Sequence, residues 1–200
     1  SEMCIRDRFM NMKNTEEFYR FYRDKMLCLD AKPNITHFKL TEFERSGKLK
    51  AIVTQNIDGL HQRAGSKIVY ELHGSILRNY CMKCHKFYDA EYIRQSKEIP
   101  HCKCGGIIKP DVVLYQEGLD DNTVEKSVQA ITDADLLIVG GTSLNVYPAA
   151  GLIQYRKRTC KLVLINKTET SADIYCDLVI HDSLGKIFAE TEINLSLIHI

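Results

Sequence analysis

The sequence has no surplus of either charge. Its 200 residues carry 27 Lys+Arg against 26 Asp+Glu, a formal net charge of +1, so no global basic field can recruit nucleic acid or an anionic membrane. Long apolar runs are missing too. The longest, such as Leu136 to Val139 and Leu162 to Ile165, fall far short of the roughly 20 residues that a spanning helix needs. No nucleic-acid partner and no membrane partner are therefore expected. There is no internal repeat and no low-complexity segment. At 44% hydrophobic and 26% charged side chains, the chain can bury one ordinary core with a small appended module. The opening residues also lack the charged, apolar and small-residue succession of an export signal. Four of the eight cysteines are clustered as pairs, so reduced cytoplasmic thiols holding a metal are read in preference to a secreted disulfide framework.

Two terminal segments, SEMCIRDR at 1–8 and LSLIHI at 195–200, read as translated adapter sequence and are set aside from fold reasoning. On that reading the chain is a fragment of a longer protein. Asn14 with Glu17 three residues on is a helix-start signal, and Phe18, Phe21, Tyr22, Met26 and Leu29 follow at near-helical spacing. A second helix is expected from about Ile35 to Arg45, ending at Gly47, where a left-handed residue costs little. His37 on that helix is read as a packing or capping residue and given no role.

Downstream, short β-rich runs alternate with helical segments: Ala51 to Thr54, Ile68 to Leu72, Val112 to Tyr115, Leu136 to Val139, Leu162 to Ile165 and Leu178 to Ile180. Several are apolar throughout, which implies burial on both faces, as in parallel strands covered by crossover helices. Helices are expected from Thr123 to Ala134, with Val124, Val128 and Ile131 on one face, and from Pro148 onward. The fold class is α/β, a doubly wound, Rossmann-like parallel sheet over 9–78 and 110–194. The stretch 79–109, with paired cysteines and few aliphatic residues, reads as an inserted zinc-binding module.

Cys81 and Cys84 form C-x2-C, and Cys102 and Cys104 form C-x-C after a 17-residue gap, followed by Gly105 and Gly106. Closely spaced pairs bring two sulfurs each to one ion, and four thiolates suit tetrahedral zinc with no open position, so the metal is structural. His85 and His101 flank these pairs as substitute ligands of lower rank. Cys28, Cys160 and Cys176 adjoin apolar residues and are read as buried thiols.

The run Gln55-Asn56-Ile57-Asp58 follows directly on a strand, placing amides and a carboxylate where α/β sheets bind ligands. Taken alone, it equally suits a polar turn. His73 ends the next strand, where an imidazole can act as a general base, although the position by itself serves a structural histidine as well. Gly140-Gly141-Thr142-Ser143 closes another strand with backbone and hydroxyl donors suited to a phosphate or ribose. The fingerprint G-x-G-x-x-G is absent, so these residues alone do not make a complete dinucleotide site.

In order over roughly residues 11–190, TQNIDGLH, ELHGS, the cysteine pairs, IIKPDVVLYQE, GGTSLNVYPAAG and VLINKT resemble a sirtuin, an NAD-dependent protein-lysine deacylase, of the bacterial type. The resemblance implies a large Rossmann-like domain, a small zinc domain and an acyl-lysine tunnel between them. It makes His73 the general base toward a hydroxyl of the nicotinamide ribose. It places Gln55, Asn56, Ile57 and Asp58 on the ribose and nicotinamide side of NAD, Gly141, Thr142 and Ser143 at phosphate and ribose, and Asn166 on the adenosine ribose. The segment from Asp182 to Leu184 would meet adenine. Val113 and Tyr115, with Val146 and Tyr147 opposite, would bracket an acylated-lysine peptide as an added strand.

The implied chemistry consumes NAD. The acyl oxygen attacks C1′ of the ribose as nicotinamide leaves, giving an alkylimidate; His73 promotes the next step, and water releases lysine and O-acyl-ADP-ribose without hydride transfer. Three departures from the family pattern stand out. Tyr115-Gln116 replaces the usual Phe-Gly, the second knuckle is one residue tighter than C-x2-C, and the first strand, Gly-Ala-Gly phosphate loop and mobile cofactor loop are missing. A sheet without its first strand leaves two neighbours unpaired, so the fragment is expected to be poorly stable and weak or inactive. The alternatives are a non-catalytic zinc module binding acylated proteins, and a mono-ADP-ribosyltransferase.

Overall fold

The first described helix is already under way at Met12, so Asn14 lies inside it and not at its start. The computed structural model describes residues 12–114, 117–142 and 149–192. The chain divides into two units, 1–31 with 54–59 and 71–120, and 32–53 with 60–70 and 121–200. The segment 79–109 lies inside the first.

In the first unit, helix α1 (Met12–Phe21) runs into a π-helical turn, Tyr22–Met26. Phe18, Tyr19 and Tyr22 form its buried stripe, whereas Phe21, expected on that face, is 42% exposed. The reason is spacing: the aromatic residues at i, i+1 and i+4 share one side of a 3.6-residue helix, and i+3 here falls at its rim. Phe18 meets Tyr19 edge-on at 5.1 Å and stacks on Tyr22 at 5.6 Å. The Tyr19 hydroxyl donates to the Ile108 carbonyl, so burial of the phenol leaves its oxygen satisfied. This helix covers an antiparallel sheet of β3 (Gly74–Cys81), β4 (Phe87–Asp89) and β5 (Ile108–Val112), in the order β4-β3-β5. Ile76, Ile93, Ile108 and Val112 complete the core, Ile93 coming from helix α4 (Ala90–Gln95), which Asp89 caps by accepting from the Tyr92 N–H.

The run expected as a strand at Val112 to Tyr115 begins and ends earlier, and it pairs antiparallel with β3 outside any parallel sheet. Pro110 sits in it because β5 is an edge strand among the described residues, where a missing N–H breaks no ladder. Cys28, expected to be buried, is exposed just beyond the π-helical turn.

The second unit holds helix α2 (Ile35–Arg45), opened by an Asn34–His37 capping box and closed by Gly47 at φ +74°. His37 is thus the capping and packing residue that its position suggested. Short helix α3 (Leu60–Ala64) lies against α2, with Thr41 Oγ1 and Ser66 Oγ 2.9 Å apart. A parallel sheet of β6 (Leu136–Gly140), β7 (Lys161–Ile165) and β8 (Leu178–Ile180) follows, with α5 (Asp121–Asp133), α6 (Ala149–Leu152) and α7 (Leu184–Glu190). Leu162, Leu164, Ile131, Leu152 and Phe188 are buried. This is the expected α/β architecture. Burial on both faces holds only for the middle strand: Leu136 is 53% and Ile138 41% exposed, because β6 pairs only with β7 and one of its faces is uncovered among the described residues. Strands β1 (Ile52–Thr54) and β2 (Val69–Glu71) form a separate pair.

Candidate functional site

Strand β1 ends at Thr54, and the loop beyond it is anchored by two backbone hydrogen bonds, one at Thr54 and one at Ile57. The Leu72 N–H donates to the Thr54 carbonyl at 2.9 Å, and the Ile76 N–H donates to that of Ile57 at 2.9 Å. Gln55, Ile57 and Asp58 are half-buried and Asn56 is exposed. Between those two anchors stands His73, in the turn that joins β2 to β3. Its Nδ1 lies 3.1 Å from the Gln55 carbonyl oxygen. A carbonyl only accepts, so Nδ1 carries a proton, and in the neutral ring Nε2 is the nitrogen with the lone pair. The His73 carbonyl in turn accepts from the Val113 N–H at 3.0 Å. The structure thus brings His73 together with Gln55, Asn56, Ile57, Asp58 and Val113 in one unit.

Gly74 makes this turn possible. Its φ is +75°, and a Cβ there would collide with the Asp111 carbonyl on β5. Sequence reasoning missed a charged cluster at the same place. Arg78 on β3 bonds Glu71 on β2 and Asp111 on β5, each at 2.7 Å. The two carboxylates hold the guanidinium's proton more firmly against its partial burial. No local motif signals such a cluster, because its members meet only through strand pairing.

The other candidate residues line the C-terminal edge of the parallel sheet. Gly140 is in register with Ile165, and Ile165 with Ile180. The residues just beyond, Gly141, Asn166 and His181, therefore stand at one height, where open α/β sheets bind ligands. The Gly141 N–H donates to Ile165 and the Asn166 N–H to Ile180, both at 3.1 Å. His181 faces the Asn166 carbonyl through Nδ1 and Asp173 through Nε2, at 3.3 and 3.1 Å. A Cβ on Gly140 would come within 2.5 Å of Leu184, so that glycine admits the first turn of α7 to the strand end. Thr142 is half-buried beside it. The donor set and its position at the strand ends fit a dinucleotide's ribose and phosphate groups. Tyr115, Ser143, Val146 and Tyr147 lie outside the described residues.

The four module cysteines converge, with all their sulfurs within 4.8 Å of one another. Cys81 and Cys104, and Cys84 and Cys102, are each 3.5 Å apart. A tetrahedral zinc with sulfurs about 2.3 Å away needs edges of about 3.8 Å, so the cluster fits a structural zinc ion. Cys81 Sγ accepts from the Lys83 N–H at 3.4 Å, and a Cβ on Gly106 would stand 2.6 Å from that sulfur. Hydrogen bonds from the Cys104 N–H and the Tyr88 hydroxyl favour the thiolate of Cys102, the form that a metal binds. His85 and His101 are not among the converging groups; His101 Nδ1 instead meets the Ile99 carbonyl at 2.7 Å.

A family model described as the Sir2 family matches residues 2–148. The chain is similar to the NAD-dependent protein deacetylase of Clostridium acetobutylicum, 65% identical over 176 residues that cover 87% of this chain and 71% of that protein. Its likeness to the one from Clostridium perfringens is 61% over 176 residues, covering 88% and 72%. Among solved structures it resembles Sir2 in complex with an inhibitor, 2′-O-acetyl-ADP-ribose and a deacetylated peptide, with a TM-score of 0.84 at 39% identity over 92% of this chain and 80% of that one. A Sir2 structure with a peptide and NAD+ gives 0.83 at 38% identity, over 92% and 78%.

Proposed function

The chain belongs to the Sir2 family, and on that premise we infer that it is an NAD-dependent protein-lysine deacetylase, with acylated-lysine proteins as substrates. NAD supplies the ribose carbon that takes up the acyl group as nicotinamide leaves. The observation that carries the reading is the orientation of His73. Its Nδ1–H is committed to the Gln55 carbonyl, so Nε2 is the atom free to take a proton from a ribose hydroxyl. Gln55, Asn56, Ile57 and Asp58 orient the nicotinamide ribose, their loop being fixed at Thr54 and Ile57 by the strands on either side of His73. Gly141, Thr142 and Ser143 serve the phosphate and ribose, and Asn166 the adenosine ribose. Val113 and Tyr115, with Val146 and Tyr147, receive the peptide as an added strand; the edge position of β5, which Val113 follows directly, supports this.

The two alternatives are not favoured, since the relatives are named deacetylases and the His73 corner is intact. No helix among the described residues is long and apolar enough to cross a membrane. The cytoplasm is the compartment that keeps four thiols reduced for a metal.

The test is incubation with an acetyl-lysine peptide and NAD, with nicotinamide, free lysine and O-acetyl-ADP-ribose followed by mass spectrometry. His73→Ala should lower turnover by about 10²- to 10⁴-fold while leaving NAD binding intact. Full activity in that variant would remove His73 as the base, and label retained on protein would mark ADP-ribosyl transfer instead.

A further inference from the structure

Arg78 reaches carboxylates on two other strands from its place on β3. Its Nε donates to Asp111 Oδ2 and its Nη1 to Glu71 Oε2, both at 2.7 Å. The Glu71 side chain is only 7% exposed, so its charge is nearly out of water and depends on this partner. Both carboxylates belong to segments that grip the His73 turn. Glu71 closes β2 immediately before the turn. Asp111 stands opposite Ser75 in the β3–β5 ladder, and its carbonyl is the group against which Gly74 fits. Just beyond it, the Val113 N–H holds the His73 carbonyl. One guanidinium therefore ties the strand entering the turn, the strand leaving it and the strand alongside. Its planar fork offers two N–H directions at once, which an ammonium does not match.

We propose that Arg78 is a positioning residue for His73, fixing the turn through Glu71 and Asp111 so that Nδ1 stays on the Gln55 carbonyl and Nε2 stays basic. The inference rests on the deacetylase reading, in which His73 is the base. Arg78→Gln and Arg78→Lys test it through melting temperature, steady-state deacetylation and exchange of labelled nicotinamide into NAD in the presence of acetyl peptide. Nicotinamide departs before the step that His73 promotes, so exchange reports binding and the first step alone. In Arg78→Gln, kcat should fall about tenfold or more while KM and exchange change by less than about twofold. Arg78→Lys should recover the melting temperature and only part of kcat. Equal losses of turnover and exchange, or no loss of either, would overturn the proposal.

Should Arg78→Gln not fold, Glu71→Gln keeps an acceptor for Arg78 and should show the same split in smaller measure. Long-range ¹H–¹⁵N spectra of His73 give a readout without activity: an Nδ1–H tautomer in the parent protein and a tautomer mixture in Arg78→Gln. An unchanged tautomer would overturn the positioning role. An N-terminally extended chain that fails to deacetylate yet shows this tautomer change would sink the deacetylase reading and leave the tie standing.

Discussion

Gly74 carries more of the candidate active site than its lack of a side chain suggests. At φ +75° an L residue is strained, and any Cβ would strike the Asp111 carbonyl, which is backbone and cannot rotate aside. Gly74→Ala should therefore force β3 and β5 apart beside His73, costing about 2 to 3 kcal/mol in stability and most of the deacetylase turnover. Thermal melting and kcat measured on the same preparation check this; an unchanged melting point would mean that the two strands do not approach as described. His73 and the Gln55–Asp58 run were singled out in the sequence by the ordered motifs TQNIDGLH and ELHGS, since a strand-end position alone suits a polar turn or a structural histidine equally. The demand for glycine was not legible, since it comes from Asp111, a residue distant in the chain that only strand pairing brings near.

At the scale of elements, the parallel sheet was legible and the antiparallel one was not. Runs such as Leu162 to Ile165 are apolar throughout and become the buried middle strand β7. Strand β3 hides because its sequence, GSILRNYC, buries Asn79 and Ser75 beside Ile76, so neither alternation nor a continuous apolar run marks it. Strand β5 is disguised by Pro110, which an edge tolerates. Between β7 and β8 the tie is polar. Asp177 accepts from Lys161 Nζ at 2.8 Å and from the Leu162 N–H at 2.9 Å, while its own N–H donates back to the Leu162 carbonyl.

Chiefly through Lys161, and then through the Leu162 N–H, these contacts hold the Asp177 carboxyl below its ordinary range. Asp173 and Asp182 are lowered as well, by Thr170 and Lys186 respectively. A carboxyl lowered in the folded state binds its proton less readily there than in the unfolded chain. Its contribution is therefore complete above the unfolded value, about pH 4, and is lost as the pH falls through the folded one. The urea midpoint should accordingly drop on acidification below about pH 4. Asp177→Asn should start lower at neutral pH and fall less steeply with acid. Parallel curves for the two proteins would show that Asp177 has no part in the acid sensitivity.

For the molecule as a whole, the family was readable because six motifs keep their order along the chain, and the metal site because its pairs are local. That same metal site joins the cysteine-bearing ends of two strands of the antiparallel unit, in addition to the core under α1. Cys81 and Cys84 leave the end of β3, and Cys102 and Cys104 precede β5, so one ion closes the ends of two paired strands. A structural zinc site supplies about 10 to 16 kcal/mol, against a folding margin of about 5 to 15. Stripping the ion should therefore unfold this unit, not merely loosen it. Elemental analysis should find one zinc per chain, Cys102→Ser should lose it, and a strong chelator should abolish both the melting transition and deacetylation. Cadmium also suits four soft thiolates and, with no open position for chemistry, should restore fold and turnover together. A metal that restored the fold but left the enzyme inactive would place the ion in the reaction itself and end the structural reading.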